Sequence, residues 1–231
     1  MLKYYEDGNI YKYLDETKGM LCWRDIVEIL WIVAGGLKCI HRENLYHGDL
    51  HGGNILIENR GDILDVRITD IGLNVQTNND QSEISESNKK TIFGVLPYVA
   101  PEVLLGDHYT KASDIYSFGM IMWTLASGIR PFSDVPHDEK LAYEIIINER
   151  RPKIDEDNFP KIFTDLMRKC WDSDPKKRPT SQQLFKITGK WVSDICDNPN
   201  PTETSRQFDD AKIRNSKHSK KNNFLSQPFI L

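Results

Sequence analysis

His47-Gly48-Asp49-Leu50-His51-Gly52-Gly53-Asn54 is the stretch on which the reading of this 231-residue sequence turns. Three glycines, an Asp and an Asn within eight residues favour a tight, irregular backbone over a helix or strand. Read alone, the stretch is a turn that happens to be rich in Asp, Gly and Asn. Its neighbours give it more meaning.

Upstream, Trp23 to His41 reads as a helix, because Ile26, Leu30, Val33, Leu37 and Ile40 recur every three or four residues and share one face. Gly35 and Gly36 lower the helix propensity there and mark a close packing contact. Downstream, residues 54–57 and 66–69 are short apolar strands. The turn residues Asn59-Arg60-Gly61-Asp62 between them predict a hairpin. Residues 74–91 are polar and rich in Asn, Ser and Glu, and read as a mobile loop.

Ser113 has the chemistry to open the next helix. Residues 115–126 are apolar on nearly every side, the pattern of a helix buried all round and hence of a domain's spine. Three amphipathic helices follow at about 137–149, 159–171 and 180–195, punctuated by Pro131, Pro152 and Pro179. One domain is therefore expected over 1–195. Residues 196–231 are expected to form a disordered polar tail, since from Asp197 six Lys/Arg and four Asp/Glu accompany few apolar side chains.

The bulk numbers agree with a folded domain: 39% hydrophobic and 28% charged residues, with a net charge of -4. An acidic isoelectric point of about 5.9 gives no sign of a nucleic-acid-binding protein. Cys22, Cys39, Cys170 and Cys196 form no closely spaced pair and read as reduced thiols. The longest apolar run, Ile29 to Ala34, falls far below the ~20 residues of a membrane span. No signal-peptide core stands at the amino terminus. A cytoplasmic, soluble chain is the expectation.

Further short motifs follow the opening octapeptide in a fixed order. They are Asp70-Ile71-Gly72 after the second strand, Ala100-Pro101-Glu102, and Asp114-Ile115-Tyr116-Ser117-Phe118-Gly119 at the start of the apolar helix. Cys170-Trp171 and Lys177-Arg178-Pro179-Thr180 come last. The octapeptide resembles the catalytic loop H-R-D-L-x-x-x-N of eukaryotic protein kinases, with Asp and Asn at the family spacing. Asp70-Ile71-Gly72 resembles D-F-G with Ile for Phe, and Ala100-Pro101-Glu102 matches A-P-E. Over residues 1 to about 195 the chain thus resembles a protein kinase of tyrosine-kinase-like flavour, carboxy-terminal lobe only.

The resemblance implies a fold and a chemistry. The fold class is mainly α (α+β): a large helical lobe, a small β-hairpin at the catalytic loop, and the amino-terminal β lobe absent. Asp49 would be the catalytic carboxylate that orients and deprotonates the acceptor hydroxyl. Asn54 and Asp70 would bind Mg²⁺ and, with His51, the ATP phosphates. His47, Glu102, Asp114 and Arg178 would be structural support: Glu102 paired with Arg178, and Asp114 accepting backbone N–H groups of the loop. Tyr4 to Leu14 resembles the segment after the kinase hinge, where Glu6 or Asp7 could meet the ribose. The implied function is phosphoryl transfer from ATP to a protein hydroxyl.

The departures from the family pattern matter as much. The G-x-G-x-x-G loop and the strand lysine with its helix glutamate would all precede residue 1. The sequence therefore reads as a fragment of a full kinase. The alternative is a lobe-only pseudokinase that binds a protein partner over the exposed face of the lobe. Gly48 replaces the Arg that usually receives a loop phosphate, so loop phosphorylation is not expected to be the on-switch. His51 stands where Ser/Thr kinases carry Lys, and Val95 where they usually carry Thr. The acceptor stays open between Ser/Thr and Tyr, with a lean to Ser/Thr. The octapeptide also resembles the loop of small-molecule phosphotransferases related to choline kinases, which lack the A-P-E segment and the helix that begins at Asp114.

Overall fold

A computed structural model describes residues 5–61, 64–71, 94–197 and 200–211. The chain runs α1 (Ile10–Glu16), α2 (Trp23–Arg42), β1 (Ile55–Asn59), β2 (Leu64–Ile68), α3 (Pro101–Leu104), α4 (Lys111–Ser127), α5 (Glu139–Ile147), α6 (Lys161–Cys170) and α7 (Ser181–Val192). A further helix, α8, covers 203–211. The fold is mostly helical, with one antiparallel hairpin pairing Ile55 with Ile68 and Asn59 with Leu64, as the sequence predicts. The expected loop at 74–91 and the turn residue Asp62 lie outside the described residues.

Apolar periodicity explains how the helices stack. Ile26, Leu30, Val33 and Leu37 of α2 are buried, and α2 packs against α7 and β2. The glycines of α2 mark the expected close contact: a Cβ added at Gly36 would lie 2.7 Å from Ile68 Cδ1 and would push that methyl group aside. Every residue of α4 from Ser113 to Leu125 is buried, which makes this helix the spine. Its start differs from the expectation. Thr110 caps it, and Ser113, three residues on, closes a reciprocal capping box in which each side chain bonds the other's backbone N–H.

The spine carries one anomaly. The Tyr116 hydroxyl is fully buried and has no hydrogen-bond partner among the described residues. Its ring lies between the guanidinium groups of Arg151 and Arg178, at 5.2 and 5.3 Å. An orphaned hydroxyl gives up its hydration without recompense. Tyr116→Phe is therefore expected to leave stability unchanged or raise it by up to about 1 kcal/mol in urea unfolding. A loss larger than that would mean that the hydroxyl is satisfied in solution.

The ordered chain continues past the expected boundary at 195. In α8, Phe208 is 2% exposed, its ring 5.5 Å from Trp23 and 5.7 Å from Trp191. Gln207 Oε1 accepts from the Ile162 amide at 3.1 Å. That amide belongs to the first turn of α6, whose cap, Pro160, has no side-chain acceptor to offer. Part of the expected polar tail is thus packed structure, because one aromatic and one amide find partners distant in sequence. Residues 212–231 lie outside the described residues. No helix among the described residues is long and apolar enough to cross a membrane.

Candidate active site

The octapeptide 47–54 folds as an irregular arch between α2 and β1, and Asp114 holds it from behind. Asp114 Oδ2 accepts from His47 N at 2.7 Å and Oδ1 accepts from Gly48 N at 2.9 Å. The carboxylate is 1% exposed. Two such bonds, from a residue in the first turn of the spine, fix the arch to the buried helix α4. His41 Nε2, from the last turn of α2, donates a third at 2.9 Å. Sequence reasoning missed His41, which lies on the apolar face of its helix and reads there as core.

His47 ties the arch to the hairpin. Its Nδ1 accepts from Asp49 N at 3.2 Å, and its Nε2 donates to Thr69 O at 2.8 Å. Both contacts suit one neutral tautomer, with the proton on Nε2. Thr69 N in turn donates to Asn54 O at 2.9 Å. The residue before Asp70 is thereby clamped by His47 and Asn54 together. Asp70 itself adopts φ +59, a left-handed conformation that Asp tolerates better than most residues. Its side chain is exposed. Gly72 lies outside the described residues.

Asp49 and Asn54 meet directly. Asn54 Nδ2 donates to Asp49 O at 2.9 Å, with Asp49 Oδ2 a further 3.4 Å contact. The Asn54 side-chain oxygen has no hydrogen bond among the described residues. His51 Nδ1 accepts from Gly53 N at 2.9 Å, which places the ring proton on Nε2, 3.6 Å from Asp49 Oδ2. Gly48 has φ +77, a conformation open to glycine, and Tyr46 and Tyr109 close the space beside it. The Tyr109 phenol is pushed up to about 12, first by burial and then by the Asp49 and Asp114 carboxylates.

The last two expected support residues form a pair away from the arch. Arg178 Nη1 and Nη2 donate to Glu102 Oε1 and Oε2, both at 2.7 Å, in a bidentate fork. Nε and Nη1 also donate to the carbonyls of Asp172 and Ala112, so every nitrogen of the buried guanidinium makes at least one hydrogen bond. This pair staples the turn at α3 to the turn before α7. The family model for protein tyrosine and serine/threonine kinases matches residues 1–187. The chain belongs to the protein kinase family.

Several curated proteins are similar to the chain over the same region. A Dictyostelium discoideum protein named as a probable serine/threonine-protein kinase is 30% identical over 78% of the chain and 10% of its own length. The serine/threonine-protein kinase STY17 of Arabidopsis thaliana is 28% identical over 82% of the chain and 31% of its own length. The mast/stem cell growth factor receptor Kit of Canis lupus familiaris is 32% identical over 78% of the chain and 18% of its own length. The chain thus spans between a tenth and a third of the length of these curated relatives.

Two features of the candidate site were not foreseen. Tyr11 of α1 stacks on His51, with interplanar angle 11° and centroids 6.3 Å apart. A Cβ added at Gly52 would lie 2.6 Å from Tyr11 Cε1, so the arch and α1 approach as closely as glycine permits. Gly52→Ala is expected to cost about 1–3 kcal/mol in urea unfolding, by forcing the Tyr11 ring aside. Tyr11→Ala in the same chain should remove most of that added cost. Equal cost in either background would show that the clash is not with Tyr11. Of the two post-hinge acids, Asp7 Oδ2 is taken up by Asn59 N at 2.6 Å, and the exposed Glu6 side chain has no such commitment.

Proposed function

We propose that this chain carries the phosphoryl-transfer site of an ATP- and Mg²⁺-dependent protein kinase, as the carboxy-terminal lobe of a longer kinase, with Ser or Thr hydroxyls as acceptors. One observation carries the reading. Asp49 and Asn54 are hydrogen-bonded to each other, and Asn54 and His47 together clamp the residue that delivers Asp70. These bonds support the reading, because they tie the segments bearing Asp49, Asn54 and Asp70 to one another.

The residues present fit a magnesium ion. One amide oxygen, from Asn54, is left over once Nδ2 is committed to Asp49, and one carboxylate, from Asp70, is exposed nearby in sequence and fold. Mg²⁺ is ordinarily held by one or two carboxylates together with phosphate oxygens and water, rather than by an all-protein cage. Among the described residues no group of three or more His, Cys, Asp or Glu forms such a cage. When bound, Mg·ATP supplies the transferring phosphoryl group and the neutralisation of its charge.

The chain's own residues do the rest. Asp49 Oδ accepts the proton of the acceptor hydroxyl and orients its oxygen for attack. Asn54 holds the Asp49 backbone through Nδ2, with a longer 3.4 Å contact to the carboxylate. His51, with its proton on Nε2, offers a hydrogen bond where Ser/Thr kinases place an ammonium group. Two of the three relatives described above are named as serine/threonine kinases, which supports that acceptor class. Ile71, 48% exposed beside Asp70, is an apolar side chain suited to be covered by an upper lobe.

The role of Asp70 has its own test. In a chain that also carries a Gly-rich loop and strand lysine, Asp70→Ala is expected to weaken Mg²⁺-dependent ATP binding by roughly 10- to 100-fold or more. Binding without Mg²⁺ should be little changed. Isothermal titration with and without the metal measures both. Unaltered Mg²⁺ dependence would remove Asp70 from the site.

A further inference from the structure

Two grooves flank the start of α7, and both are lined by cations. The first, about 860 Å³, lies between α6 and α7 and carries Lys169, Lys176, Lys177 and Lys186. None of these four ammonium groups has an ion-pair or hydrogen-bond partner among the described residues. The groove's single carboxylate, Asp165, is already held by Lys161 at 2.7 Å. The second groove, about 630 Å³, shares Lys176 and adds Lys38, Arg42 and Lys111, with no carboxylate in its lining. Arg178 lines both grooves, its charge spent on Glu102.

This segregation is local, since the chain as a whole has net charge -4. Seven cations line the two grooves against one carboxylate in the lining, and among the described residues Arg42 alone of them is ion-paired, with Glu43 at 3.0 Å, so the local field is positive. The floor of the first groove is not charged. Its apolar lining is the half-buried Ile162 and Ile187, together with the buried Leu166 and Trp191. A flat anionic membrane would meet the lysines but not reach a concave floor. A nucleic-acid backbone would likewise leave the apolar floor unused. The surface that complements both parts is an extended peptide whose acidic side chains alternate with apolar ones.

We propose that the face formed by α6, α7 and the turn at Arg178 is a docking groove for an acidic, apolar-anchored segment of a partner protein. Lys169, Lys177 and Lys186 receive its carboxylates, and the half-buried Ile162 and Ile187 receive its apolar side chains. The site is independent of the reading of Asp49 and its neighbours, and would stand if that reading failed.

The test is fluorescence anisotropy on the 231-residue chain with a labelled dodecapeptide that alternates glutamate and leucine. Saturable binding that weakens as salt is raised is expected. Replacing the leucines of the peptide by serine should weaken binding roughly tenfold or more, because the floor is then unused. The triple variant Lys169→Glu, Lys177→Glu, Lys186→Glu should weaken it at least as much. All three side chains are exposed, and an unchanged thermal melt would confirm that the variant folds. Equal binding of the serine peptide would overturn the proposal in favour of unspecific charge attraction. So would absence of peptide binding, with phosphatidylserine vesicles or single-stranded RNA bound instead. So would a dimer in sedimentation that the triple variant abolishes, since the occupant would then be a second copy.

Discussion

Asp49→Ala, in a chain completed by a Gly-rich loop and strand lysine, should lower kcat for phosphoryl transfer by roughly 100- to 10,000-fold, the range that a positioned general base contributes. The affinity for Mg·ATP should stay within a few-fold, because the proposed metal ligands are Asn54 and Asp70. The neighbourhood makes this a clean substitution. Asp49 is anchored through its backbone, with N donating to His47 Nδ1 and O accepting from Asn54 Nδ2, and neither bond involves the carboxylate removed. The arch should therefore survive in the variant. A matched loss of ATP affinity would mean that the carboxylate holds the nucleotide rather than the acceptor.

Glu102→Ala should cost about 3–5 kcal/mol of stability, the penalty for leaving a buried charge without its counter-ion. The Arg178 side chain is 0% exposed, and its fork to Glu102 is bidentate. The two carbonyl partners, Asp172 O and Ala112 O, remain and hydrogen-bond the guanidinium, but they carry no compensating negative charge. Arg178→Met should cost a similar amount, partly because those carbonyls lose their donor. The double variant should cost less than the sum of the two by more than about 1 kcal/mol, since neither charge is then left alone. Urea unfolding of the four chains closes the cycle. Additive losses would show that the pair contributes through separate contacts.

The helical frame was readable because burial follows period. The apolar stripe of α2 and the all-round apolar α4 announce their environments without outside help. The site was readable for a different reason: the chemistry of its residues and their order along the chain carried a resemblance that no single motif carries. What stayed hidden depends on partners distant in sequence. His41 reads as a core residue until Asp114, 73 positions away, is seen beside it. The cap at Thr110 competes with Ser113, since both hydroxyls suit the role and the reciprocal box uses both. Phe208 is a lone aromatic among charges, and only Trp23 and Trp191 make it core. A local signal for α8 was nonetheless present: Thr202 and Ser205 bond each other's backbone N–H, a capping pair at the usual three-residue spacing.

The most direct measurement of the central claim is transfer of the γ-phosphoryl group itself. The chain is joined to an upper lobe bearing the Gly-rich loop and strand lysine, Mg·ATP binding is first established by titration, and labelled ATP is then supplied with a generic protein acceptor. The account predicts phosphoserine or phosphothreonine in the acceptor, formed by the parent chain and not by its Asp49→Asn variant. A joined chain that binds Mg·ATP yet transfers nothing, or one whose transfer survives Asp49→Asn undiminished, would contradict it.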